Sequence, residues 1–201
     1  MSEVSPPRHG LEAFIGTAPR NSLDDNAVSI TVRGDFGHVN LRGAATDSEF
    51  LKAVEGVLKQ PLPLAPNTMS QGAHRVFWLG PDEWLVVTAA PQAVDVAPAL
   101  QQATSQMHAS VNDLGGGQVA LLLEGARARD LLAKGCTLDL HPQVFKPGDC
   151  AQSGLAKANI LIGLEEDAPT FIIVVRRSFA DYLGRWLARA GQEFGIVFTA
   201  S

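Results

Sequence analysis

Along "AVSITVRG" the apolar residues Val28, Ile30 and Val32 alternate with Ser29 and Thr31. A period of two predicts a half-buried strand. "HVNLRG" reads as a second short strand. In "TDSEFLKAVEGVLKQP" the period lengthens, and Phe50, Val54, Val57 and Leu58 fall on one helical face. Thr46 and Glu49 have capping-box spacing there, and Pro61 stops the helix. "RVFWLG" and "EWLVVTA" flank Gly80-Pro81-Asp82, which predicts a hairpin. A helix over residues 92–107 buries Val96, Leu100, Ala103 and Met107, provided that Pro98 sits in its first turn.

The second half repeats this order. "ASVNDLG" and "QVALLLEG" read as strands joined by a turn at Gly115, Gly116 and Gly117. "ARARDLLAKG" is a short helix with Gly135 as a left-handed C-cap. "LAKANILIGL" and "TFIIVVRR" form a further hairpin. In "SFADYLGRWLARAG", Ser178 and Asp181 have capping-box spacing, while Phe179, Tyr182, Leu183, Trp186, Leu187 and Ala190 line one face. Each half therefore reads β-β-α-β-β-α, at a period of about eighty residues that suits a duplicated α+β unit rather than a solenoid. The expected organisation is an N-terminal arm over residues 1–25, a first half over 26–109 and a second over 110–201, intertwined as one compact unit with ferredoxin-like halves.

Composition narrows the function classes. The net charge is −5, and no run of Lys or Arg reaches three residues, so the electrostatic footprint of a nucleic-acid binder is missing. "MSEVSPPRHGLEAF" has no apolar h-region, and the longest apolar runs are only strand length. With two cysteines, Cys136 and Cys150, the expectation is a cytoplasmic chain in a reducing compartment, without membrane or nucleic-acid partners.

The densest candidate chemistry lies in "LLAKGCTLDLHPQVFKPGDCAQS". Cys136, His141 and Cys150 lack the close pairs and the fourth ligand of a structural zinc site. Cys136 follows a helix C-terminus, where the dipole disfavours a thiolate nucleophile. "DLGGGQV" lies between strands rather than before a helix, so it fits a glycine turn better than a phosphate cradle. Asp82 and Glu83 are neighbouring turn carboxylates, and Trp78, Trp84 and Trp186 fall at positions of predicted burial. Arg176 and Arg177, at a strand end before a helix, suit contact with a carboxylate, a phosphate or a partner's acidic groups.

Three pieces of this pattern, Gly80 to Trp84, Leu131 to Cys150 and Arg176 to Trp186, resemble the gamma subunits of heterotetrameric sarcosine oxidases. That family is similar in fold to the folate-binding domain of glycine-cleavage aminomethyltransferases. The resemblance implies an accessory subunit beside alpha, beta and delta subunits. The assembled enzyme would oxidise sarcosine to glycine with hydrogen peroxide and either formaldehyde or 5,10-methylenetetrahydrofolate. It implies FAD, FMN, NAD and zinc on the other chains, use of tetrahydrofolate there, and no catalytic, cofactor-binding or metal residue in this one. Arg176, Arg177, His141 and Phe145 are the residues expected at subunit contacts. Leu138, Leu140 and Phe145 are also expected to pin the 131–153 segment to the core.

Two alternatives stand beside this reading. A free-standing folate-dependent aminomethyl- or formyltransferase would need a carboxylate for the pterin edge, with Asp113, Asp82 and Glu83 as its candidates. A redox or metal protein would be built on Cys136, His141 and Cys150.

Overall fold

The computed structural model describes residues 10–16, 28–89, 92–165 and 170–200. Its strands are β1 (Ser29–Arg33), β2 (Gly37–Arg42), β3 (Met69–Gln71), β4 (Arg75–Gly80), β5 (Glu83–Thr88), β6 (Ser110–Asp113), β7 (Gln118–Glu124), β8 (Cys150–Leu155), β9 (Ala158–Leu164), β10 (Phe171–Arg176) and β11 (Val197–Ala200). The helices are α1 (Ser48–Leu58), α2 (Val96–Ala103), α3 (Ala128–Ala133) and α4 (Arg177–Ala190). One sheet has six strands in the order β11-β1-β7-β10-β9-β8, and the other has five in the order β3-β4-β5-β2-β6.

The sheets stack face to face, with helices on both outer surfaces. Along β5, Trp84 and Val86 turn outward to Phe50, Val54 and Leu100 of α1 and α2, while Leu85 and Val87 turn inward. Along β10, Phe171, Ile173 and Val175 meet Leu183 and Leu187 of α4, while Ile172 and Val174 face the other sheet. Strands covered on both faces carry no polar alternation, which explains the unbroken run "FIIVV".

Each half sends its first strand into the other half's sheet. β1 pairs antiparallel with β7, from Ser29 opposite Glu124 to Arg33 opposite Ala120. β6 pairs with β2, from Val39 opposite Asp113 to Arg42 opposite Ser110. The predicted hairpin across the three glycines is therefore not formed. Leu114 N–H still donates to His38 C=O at 2.7 Å, Gly116 turns the chain at φ +72°, and Arg177 N–H reaches Gly117 C=O on the far sheet at 3.0 Å. β7 is apolar enough to need a neighbour on each side, and finds them in β1 and β10.

Local signals hold with shifts. Asp47, not Thr46, caps α1: its Oδ1 accepts from Glu49 N–H at 2.9 Å and Phe50 N–H at 3.3 Å. α4 begins one residue before Ser178, so no Ser178–Asp181 box forms, and Asp181 instead pairs with Arg185 at 2.9 Å. α2 is shorter than 92–107, with a separate 3-10 turn at Gln92–Val94, and Pro98 does fall in its first turn. Gly135 is not left-handed. It is required for space, because a Cβ there would lie 2.4 Å from Trp186 Cζ2.

Of the expected arm, residues 10–16 lie on this chain's own surface. Leu11 is fully buried, Phe14 packs on Phe198 with tilted rings whose centroids lie 5.6 Å apart, and Gly16 N–H donates to Phe198 C=O. The remainder of that arm, residues 1–9 and 17–25, lies outside the described residues.

Candidate functional site

The two cysteines occupy different compartments. Cys150 is buried between the sheets, where its Sγ donates to Thr68 C=O at 3.2 Å, and burial pushes its thiol up to about 12. Cys136 is half-buried and packs on the outer, α4 side of the six-stranded sheet. Both are free thiols. His141 is exposed, its backbone N–H donates to Asp139 Oδ1 at 2.9 Å, and its Nδ1 accepts from Gln143 N–H at 3.2 Å. Among the described residues, no three His, Cys, Asp or Glu side chains gather in a metal-binding group.

The connection carrying His141 is held from α3. Arg129 donates to the carbonyls of Leu140 and Phe145 and lies over the Phe171 ring at 5.0 Å. Phe145 is only 7% exposed and stacks on Phe171 with centroids 6.4 Å apart, so it pins the segment to the core. Val144, 58% exposed, is the apolar side chain this segment presents outward. Nothing local in the sequence marks Arg129, because its partners are backbone carbonyls more than ten residues away.

The carboxylates separate as well. Asp82 pairs with Arg42 at 2.9 Å on the surface, and Asp113 Oδ1 accepts from Gly115 N–H at 2.7 Å. Glu83 accepts from Asn40 Nδ2 at 2.8 Å and faces a cleft of about 800 Å³ between the sheets. Asn40 and Glu83 form one wall, Gly154 of β8 and Val174 of β10 the other, and Arg176 and Phe179 stand where β10 passes into α4. The Arg176 side chain has no hydrogen-bond or ion-pair partner among the described residues, and Phe179 is 40% exposed. Arg177 turns the other way and donates to Gly116 C=O at 3.4 Å. The four expected contact residues thus form two groups, the arginines at the start of α4 and His141 with Phe145 on the connection. Trp84 is fully buried with its Nε1–H donated to Pro63 C=O at 2.8 Å, and Trp78 and Trp186 are partly buried.

Two buried histidines carry no signal in the sequence. His38 is 1% exposed, and neither ring nitrogen has a hydrogen-bond partner. Burial pulls its imidazole down to about 4, against the opposing effect of Asp113. His74 is lowered by burial too.

A pair of stacked sheets exchanging their first strands, flanked by helices and with a cleft between them, defines a class of α+β fold that is also found in solved structures. Aminomethyltransferase T of the glycine cleavage system from Bartonella henselae superposes with a TM-score of 0.64 at 16% identity, over 86% of this chain and 47% of that one, a likeness of fold. Within that class the match becomes specific. Residues 42–193 match the sarcosine oxidase, gamma subunit family, and the chain belongs to that family. It is 34% identical over 193 residues to the sarcosine oxidase subunit gamma of Corynebacterium sp. strain P-1, covering 94% of this chain and 90% of that one. The gamma subunit of Corynebacterium sp. strain U-96 is 35% identical over 62% of this chain and 60% of its own. A chain of the heterotetrameric sarcosine oxidase of that strain superposes with a TM-score of 0.81 at 27% identity, over 94% of this chain and 95% of that one.

Proposed function

We propose that this chain is an accessory, non-catalytic subunit of a heterotetrameric sarcosine oxidase, cytoplasmic, and assembled with alpha, beta and delta partners. The observation that carries this reading is end-to-end similarity to a gamma subunit, 34% identity over 94% of the chain, together with the 0.81 superposition on a chain of such an oxidase. Oxidation of sarcosine to glycine, with hydrogen peroxide and formaldehyde or 5,10-methylenetetrahydrofolate as products, is then work of the assembly. FAD, FMN, NAD and zinc belong in this reading to the other subunits, as does tetrahydrofolate use. This chain contributes buried interface. Its polar anchors are Arg176 and Arg177, with a second contact at His141 and Val144 on the outward side of the 141–147 segment, while Phe145, expected at that contact, supports it from the core.

Co-expression with the three partner subunits tests this. The expected result is a four-chain complex with sarcosine-dependent peroxide production, and an isolated chain that produces none. A chain that stays apart from the three partners, or turns over sarcosine alone, overturns the reading.

A further inference from the structure

We infer that the cleft between the two sheets receives an extended segment of a neighbouring oxidase subunit, one that carries a carboxylate beside an apolar or aromatic side chain. The inference rests on the subunit reading above and deepens it. Three observations converge on this occupant.

The first is charge. Arg176 closes β10 with φ −62° and ψ 134°, caps α4 without a side-chain cap bond, and has no anionic partner among the described residues. Arg33, Arg42, Arg75, Arg127 and Arg185 are each paired with a carboxylate. A guanidinium left unmatched beside the positive end of a fourteen-residue helix suits a carboxylate supplied from outside.

The second is the apolar anchor. Phe179, two residues into α4, keeps 40% of its surface in solvent at the same mouth, although Leu183 and Leu187 on that helical face are fully buried. Arginine and aromatic side chains, Phe among them, are enriched at protein interfaces relative to the rest of the surface.

The third is shape. The cleft holds about 800 Å³, far more than one side chain or an inorganic anion fills, and it is open rather than enclosed. Its far wall carries the Asn40–Glu83 pair, where Glu83 Oε1 is engaged at 2.8 Å and Glu83 Oε2 and Asn40 Oδ1 accept nothing among the described residues. Backbone N–H groups of an extended segment match such acceptors, while its acidic side chain reaches Arg176 at the mouth.

Gly154 supplies a clean test. It lines the cleft, its backbone is not left-handed, and a Cβ built there meets no atom within 4 Å. Gly154→Trp therefore fills the cleft without a clash at its first atom. Each variant is made in the full chain, and its affinity for the alpha–beta–delta assembly is measured by titration with labelled protein. Gly154→Trp, Arg176→Glu and Phe179→Ser are each expected to raise the dissociation constant by about tenfold or more. Gly154→Ala and Arg185→Ala are expected to leave it unchanged. Should Gly154→Trp lower the melting temperature of the isolated chain, the two surface variants carry the test. Wild-type affinity in Arg176→Glu and Phe179→Ser overturns the inference while leaving the subunit reading intact. So does a cleft that proves to hold a second copy of this chain, seen as self-association abolished by Gly154→Trp. Failure of the wild-type chain to join the three partners removes the subunit reading itself, and the inference with it.

Discussion

Arg75 of β4 is ion-paired with Glu165 at the end of β9, so a charged clamp joins the two sheets at their margin. The side chains are only 19% and 10% exposed, and Gln71 Nε2–H also donates to Glu165 at 3.4 Å. Arg33 and Arg75 lie over the Phe36 ring at 4.0 and 5.2 Å from its centroid, which fixes the Arg75 guanidinium near its partner.

Removing one member leaves the other largely buried and unmatched. Arg75→Ala is expected to cost about 3 kcal/mol in urea unfolding. The double change Arg75→Met with Glu165→Leu should recover most of it, because two apolar groups leave no orphaned charge. Equal losses in the single and double variants would contradict the clamp.

The approach of Gly135 to Trp186 gives a packing prediction. With Trp186 Cζ2 at 2.4 Å and Ala156 N at 3.2 Å from an added Cβ, Gly135→Ala is expected to destabilise by about 2 kcal/mol. The penalty should shrink in a Trp186→Leu background, measured as a double-mutant cycle.

Acid stability follows from His38. Its folded value of about 4 lies below the unfolded 6.5, so the unfolded chain binds the proton more readily between those values. Its contribution is full above pH 6.5 and is lost as pH falls towards 4, about 3 kcal/mol in all. His74, shifted the same way, adds to the slope. His38→Leu, which also removes two unsatisfied ring nitrogens, should flatten unfolding free energy between pH 6.5 and 4.

The two thiols should differ in reactivity. Cys150, buried and raised to about 12, is expected to resist iodoacetamide in the folded protein at pH 8, while half-buried Cys136 is alkylated. Peptide mass analysis before and after denaturation checks this. Serine at both positions should leave turnover of the assembled oxidase largely unchanged.

How much of this was legible in the sequence depended on the range of the interaction involved. Alternation and helical period located α1, α4, the β4–β5 hairpin and the β9–β10 hairpin, since those signals lie within a dozen residues. They misplaced the N-cap by one residue at α1, where Asp47 competes with Thr46 for the same N–H groups, and by two at α4, where Arg176 stands in place of Ser178. The short β3 and β11 gave no periodic signal, and β11 exists through parallel pairing with β1, Ser29 opposite Val197. The β6–β7 hairpin failed for the same reason: nothing local tells Val39 that its neighbour is Asp113 rather than a strand of its own half. The cleft inherits that difficulty. Arg176 is marked in the sequence by its place at a strand end, but Asn40, Gly154 and Phe179 line the same cleft only once the sheets stack.

The exchange of β1 and β6 means that the two halves cannot be separated as self-sufficient pieces. A cut at residue 109 would strip the six-stranded sheet of β1 and strand β6 on the wrong fragment, so each product would expose an unsatisfied sheet edge. During synthesis β1 therefore has no partner strand until β7 has been made, about ninety residues later, and gains its second only with β11.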